Sequence, residues 1–243
     1  MGKQKQLTRE ASKHKNYLHP YPIKVIIKEQ DINDLERRFR TNLINSIGGF
    51  KSLVLIGTRS KDGSVNLATF SSLFHLGADP ALCGIIVRPS KPGRNTLDNI
   101  LSTSQYTVNH VTAEIYTQAH QCSAKYDEGL NEFQMVRLTE EYHEEIYAPF
   151  VKESRIKFAC ELVQKVNIEL NSTTLLIGKI IQVILPDDVL CADGMIDIEK
   201  AGTLTCSGLD SYHSTNKIAR LSYAKPNTEP VRVDSPLYTA TTK

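Results

Sequence analysis

The sequence predicts a mainly β protein with helices: an antiparallel, Greek-key-like β-barrel, closed or nearly closed, with peripheral helices. Three observations point there. Short apolar segments outnumber helical ones, they follow one another in hairpin-like order, and no regular strand-then-helix alternation suggests a parallel doubly wound sheet. The 243 residues, 40% hydrophobic and 23% charged, suffice for one large domain or two small ones and have an ordinary globular composition.

The elements follow in chain order. Residues 16–30 carry Pro20 and Pro22 beside Tyr17, Leu18 and Tyr21 and read as an extended arm. Beyond Asp31, residues Ile32, Leu35, Phe39, Leu43, Ile44 and Ile47 recur at three- and four-residue steps. With Asp31 as cap and Gly48-Gly49 as stop, they predict one amphipathic helix. Residues 53–58 read as a strand, and Lys61-Asp62-Gly63-Ser64 as a tight hairpin turn. Residues 65–74 and 82–88 then complete a three-strand meander.

Residues 90–93 form a loop, and 96–102 a short helix on which Leu97, Ile100 and Leu101 share a face. A strand over 106–111, helices over 113–124 and 140–146, and strands over 156–170 and 175–185 complete the pattern. The chain thus divides into an N-terminal arm and helix packed on the barrel (1–50), the barrel domain (51–226) and a C-terminal surface tail (227–243).

Charge and motifs exclude several function classes. Against 29 basic side chains stand 27 acidic ones, so no global field selects nucleic acid or an anionic membrane. Lys3, Lys5, Arg9, Lys13 and Lys15 form a local basic run that reads as a solvated terminus, with a nucleic-acid arm as the rival reading. No signal-peptide core or membrane span is evident, which predicts a cytoplasmic protein. The five cysteines contain no C-x-x-C pair and the seven histidines no helical metal-binding pair, so no disulfide framework or metal centre is expected. G-x-G-x-x-G, P-loop and G-x-S-x-G signatures are absent.

The most informative stretch is Asn66-Leu67-Ala68-Thr69-Phe70-Ser71-Ser72. It sets short donors on a rigid strand just after a turn, as a phosphate or a flat polar ring would require. Alone it is better read as a half-buried strand whose hydroxyls pair with neighbouring backbone. Arg88-Pro89 and then Arg94-Asn95-Thr96, opening a helix, add a guanidinium fork, a hydroxyl and free helix amides, all suited to an anion. In Thr107-Val108-Asn109-His110-Val111, Asn109 and His110 fall on opposite strand faces.

In order and spacing these segments resemble the flavin-reductase-like family with the FMN-binding split-barrel fold, which includes flavoredoxin. The resemblance runs from about Lys51 to Pro226 and continues through Ala124-Lys125-Tyr126, Gly129, Glu132-Phe133 and Cys160-Glu161. It implies that Asn66, Ala68 and Thr69, with Phe70, line the isoalloxazine edge. By the same resemblance Ser71, Ser72, Arg94 and Thr96 are expected to surround the phosphate, and Arg88 and Asn95 to be among the cofactor-binding residues. The resemblance further implies that Asn109 and His110 lie on the strand beside the flavin, with Ser123, Ala124 and Tyr126 close to the ring and Tyr212 similar to a late family Tyr near it.

The family also implies a homodimer and an FMN-dependent oxidoreductase that takes hydride from NAD(P)H and passes electrons to free flavin or another acceptor. It needs no protein acid or base at the reacting atom. Rival readings are a non-enzymatic FMN electron carrier and a small-barrel nucleic-acid module.

Overall fold

In the computed structural model the described residues are 25–89, 95–127, 129–234 and 236. The basic run, most of the predicted arm, the 90–93 loop and Arg94 lie outside them. The described residues fall into two units divided between Thr41 and Asn42.

The predicted single helix is two: α1 (Glu29–Asp34) and α2 (Arg37–Ser46). Leu35 leaves α1 with extended backbone, and the Glu36 carboxylate accepts from the Phe39 amide at 2.9 Å, which starts the chain on a new helix. Asp31 sits inside α1 and accepts from the Lys28 amide at 2.9 Å, so it closes the first turn from within rather than preceding it. Gly49 ends the segment at φ 74°.

The second unit is antiparallel throughout. Its strands are β1 (Lys51–Ser52), β2 (Val54–Arg59), β3 (Val65–Phe70), β4 (Phe74–Ala78) and β5 (Ala81–Val87). Helix α3 (Asn95–Thr103) leads to β6 (Gln105–His110), α4 (Tyr116–Gln121), α5 (Glu132–Val136), β7 (Glu140–Glu141) and β8 (Phe150–Val151). The long β9 (Lys157–Ile168) and β10 (Thr173–Ile184) precede β11 (Thr205–Ser207) and β12 (Ser211–His213). Seven strands form one sheet in the order β3-β2-β6-β9-β10-β5-β4, while β1, β11 and β12 form a second.

The predicted meander is corrected here. The β2–β3 hairpin forms, but β5 pairs with β4 and β10 and not with β3. The predicted 65–74 strand breaks at Ser71-Ser72-Leu73, because β3 and β4 occupy opposite ends of the sheet order and three residues must join them. That connection curls the sheet into a barrel. The Ser72 hydroxyl stitches the seam, donating to the Ile86 carbonyl at 3.0 Å and accepting from the Ile86 amide at 3.1 Å.

The predicted helix over 140–146 is also absent. Glu140 and Glu141 pair with β8, and Glu145 adopts φ 68°, outside helical space. The helix expected over 113–124 contracts to α4.

Strand β2 is buried on both faces and so separates two cores. Val54 and Ile56 meet Ile85, Ile100, Tyr106, Val108 and Leu176, while Leu53 and Leu55 meet Leu67, Val111, Ile115 and Phe133 beneath α4 and α5. All five cysteines are free and buried. Part of the expected tail folds back on the residues before it, with Arg232 bridging Leu221 and Thr228 bridging Lys225.

Candidate functional site

Strand β3 is an edge of the sheet, so half of its backbone amides and carbonyls have no strand partner. One of its faces holds α3 and the other α4 and α5. What stays open is the hydrogen-bonding edge itself, and along it runs a cleft of about 650 Å³. The Leu67 amide points into this space, donating to Glu132 Oε2 at 3.4 Å, and alternation along the strand turns the Thr69 amide the same way.

Twelve of the sequence-predicted residues line the cleft: Asn66, Ala68, Thr69, Phe70, Ser71, Ser72, Arg88, Thr96, Ser123, Ala124, Tyr126 and Tyr212. Their hydroxyls are not equivalent. Thr69 donates to the Ala119 carbonyl and ties β3 to α4. Ser72 is held by Ile86, as described. Ser71, half-buried in the wall, makes no hydrogen bond among the described residues.

Asn66, implied for the ring, and Thr96, implied for the phosphate, bond to each other: Asn66 Nδ2 donates to Thr96 Oγ1 at 2.9 Å. Asn99 Nδ2 donates to Thr58 Oγ1 at 3.1 Å beside them, so a buried polar cluster fixes the start of α3 against the hairpin.

Two predicted residues lie elsewhere. Asn109 is fully buried in the barrel wall. Its amide donates to the Leu55 carbonyl at 3.1 Å and to Thr107 Oγ1 at 3.0 Å, while its oxygen accepts from the Val151 amide at 2.9 Å. It is a structural cross-link with nothing left to offer a ligand. His110 Nδ1 lies 3.2 Å from Thr203 Oγ1, away from the cleft, and burial pushes its pKa down to about 4. Neither residue joins the lining, because β6 is an interior strand flanked by β2 and β9. Of Asn95 only the helical backbone is described.

The cleft also contains residues the sequence reading missed. Lys51, Leu53, Cys206, Gly208 and Leu209 form a third wall. They arrive through the pairing of Lys51 with Cys206 across more than 150 positions, and no local pattern announces that pairing. Lys125 and Glu132 stood inside quoted family stretches and were legible there. Asn45, which accepts from Arg88 Nη2 at 3.2 Å, lies on α2 outside any motif.

Lys51, Arg88 and Lys125 place cations around the cleft, against Asp127 and Glu132. Burial holds the Glu132 carboxyl above its usual range, and its bond to the Leu67 amide opposes that only in part. Burial, and then the Glu132 charge, push the Cys122 thiol up to about 12, so it is no nucleophile. The Tyr212 hydroxyl lies 2.6 Å from His120 Nδ1. No cluster of side chains suited to a metal occurs among the described residues, and no described helix is long and apolar enough to cross a membrane.

Comparison with known proteins agrees with this fold. The model of the flavin reductase like domain matches residues 47–197. A protein of flavin-reductase type with a split barrel domain, from Shewanella frigidimarina NCIMB 400, is 46% identical. That similarity covers 83% of this chain and 100% of that one, with a TM-score of 0.80. Nitrilotriacetate monooxygenase component B from Bacillus cereus (19% identical, 83% and 100% covered, TM-score 0.72) shares the fold. So does flavoredoxin of Desulfovibrio vulgaris (20%, 74% and 92%, TM-score 0.61). An uncharacterized protein of Aquifex aeolicus is 27% identical over 147 residues, which is 60% of this chain and 74% of that one.

Proposed function

Because this chain belongs to the flavin reductase like family, we propose that it is an oxidoreductase that binds FMN along the open edge of β3 and reduces it with NAD(P)H. One observation carries the reading: an unpaired strand edge and the unspent Ser71 hydroxyl face a cleft whose volume, about 650 Å³, falls within the usual 300–1,000 Å³ of a cofactor site. The donor set fits the cofactor. Outward amides at Leu67 and Thr69 suit the polar edge of a flat ring, while Ser71 with the nearby cations suits a phosphate. Leu53, Leu97 and Leu209 give the cleft apolar wall to exclude water.

FMN supplies the redox chemistry when bound, taking a hydride equivalent from reduced nicotinamide and returning electrons to free flavin or another acceptor. The chain's part is to bind and orient. The polar cluster of Asn66, Thr96, Thr58 and Asn99 fixes one wall, and the Thr69–Ala119 bond fixes the opposite one. Holding two rings in contact needs no general acid or base, consistent with a cleft that lacks a nucleophile–base pair.

The same reading takes the chain as a homodimer. In its support, Val163, Val166, Ile181 and Val183 stand exposed on β9 and β10.

The test is the visible spectrum of the purified protein with added FMN, followed by anaerobic mixing with NADH and with NADPH. We expect tight FMN binding and loss of flavin absorbance with at least one nicotinamide. A protein that binds FMN but stays oxidised with both is an electron carrier. One that does not bind FMN refutes the reading.

A further inference from the structure

A second, smaller cleft of about 300 Å³ lies beyond the start of β3. It is lined by Arg59, Ser64 and Val65 from the hairpin, by Gly129, Leu130 and Asn131, and by Glu140 and Tyr142. Leu130 lines both clefts, so they adjoin. Both also follow the same strand: residues 63–65 border the small one and 66–70 the large one. At about 3.3 Å per residue, Val65 of the small cleft and Ala68 of the large one stand about 10 Å apart along β3, within the reach of one extended dinucleotide.

Arg59 is the feature that needs explaining. Its guanidinium carbon lies 4.9 Å from the ring centroid of Tyr147 and 5.5 Å from that of Tyr142, and its Nε donates to the Gly63 carbonyl at 3.2 Å. The surrounding groups are themselves fixed. The Tyr147 hydroxyl donates to the Ser60 carbonyl at 2.8 Å, and the Tyr142 hydroxyl donates to Glu140 Oε2 at 2.6 Å. Glu140, the carboxylate of this cleft, also accepts from Asn131 Nδ2 at 2.8 Å, so both of its oxygens are engaged. The hairpin turn is closed by Ser60 and Asp62, and Gly63 takes φ 93°.

Among the described residues the terminal nitrogens of Arg59 donate to nothing and form no ion pair, although three chain segments converge to hold them still. A guanidinium stacked on aromatic rings, its N–H fork unspent, is prepared for bidentate recognition of a phosphate. The ordering cost of the longest side chain in the cleft is met before any ligand arrives.

Resting on the reading of the β3 cleft as the flavin and nicotinamide site, we propose that this second cleft binds the adenosine end of the reduced nicotinamide. Arg59 receives its 2′-phosphate and thereby favours NADPH over NADH. The step is binding only and transfers no electrons.

The test is direct titration of the full chain with 2′,5′-ADP and with 5′-AMP, by calorimetry, independent of any flavin reaction. The expected result is at least tenfold tighter binding of 2′,5′-ADP. Arg59→Ala should abolish that preference, and Arg59→Lys, which keeps the charge and loses the fork, should reduce it. FMN affinity should stay at the wild-type value in both variants. Equal affinity for the two nucleotides, no binding of either by the wild type, or an intact preference in folded Arg59→Ala would overturn the proposal. Loss of FMN binding or of nicotinamide oxidation in the wild type would instead overturn the flavin reading. The two failures are therefore separable.

Discussion

Ser71 and Ser72 are neighbours of the same type, and the structure gives them opposite work. Ser72 makes two hydrogen bonds to the Ile86 backbone at 3.0 and 3.1 Å, closing the barrel where β3 leaves the sheet. Ser72→Ala removes both bonds and strands the Ile86 amide and carbonyl. At about 0.5–1.5 kcal/mol per bond the loss is about 1–3 kcal/mol. For a folded unit of some 200 residues, that lowers Tm by about 2–12 °C. Ser71 makes no bond among the described residues, so Ser71→Ala should leave Tm unchanged. If Ser71 donates to the FMN phosphate, the variant loses a hydrogen bond to a charged group, about 1.5–3 kcal/mol. That corresponds to an FMN Kd roughly 10- to 150-fold weaker. Thermal unfolding must be followed without FMN, since bound ligand would itself raise Tm, and Kd is read from the quenching of FMN fluorescence. The reasoning is refuted if Ser72→Ala melts like the wild type, or if Ser71→Ala lowers Tm while its Kd holds.

Three further outcomes follow from the packing and the shifted groups. Gly178→Ala would set a Cβ 2.0 Å from the Tyr106 hydroxyl and 3.0 Å from Cys160 Cβ inside the barrel, so denaturant unfolding should show a loss of about 1–3 kcal/mol or more. His110, lowered to about 4 in the folded protein, stays neutral while the unfolded chain takes up a proton below about pH 6.5. Stability should therefore fall from pH 6.5 toward pH 4, by on the order of 2 kcal/mol at pH 5, and a smaller decline in His110→Gln would identify the group. The five cysteines are free and buried, so a colourimetric thiol reagent should react slowly with the native protein and label all five after unfolding. Rapid labelling of Cys122, whose thiol burial holds near 12, would contradict that burial.

What the sequence revealed and what it hid divide along one physical line. The β2–β3 hairpin, α3 and the long β9–β10 pair were legible because each rests on local signals, namely a turn residue, a helical face or an alternating run. The barrel class was legible as well, from the number and order of the strands, but the way it closes was not, for closure depends on Ser71-Ser72-Leu73 interrupting a run of residues that looks like one strand, and on β5 joining β10 from a distance. Glu140 and Glu141 mislead in a related way: their helix-like setting yields to pairing with Val151 and Phe150, a contact to which helical periodicity is blind. At the cleft, the hydroxyl-rich strand drew attention for the right chemistry, yet composition could not say which hydroxyls the fold consumes. Thr69 and Ser72 are spent on Ala119 and Ile86, and Asn109 on three partners in the wall. Arg59 is the converse case. In the sequence it is an unremarked cation beside a turn, and only the convergence of Tyr142 and Tyr147 from more than 80 residues away turns it into a fixed fork. A residue's type fixes what it can bind, whereas the partners that tertiary structure assigns fix what remains for a ligand. The unspent donors, Ser71 and Arg59, are thus the positions at which substitution should change binding before it changes stability.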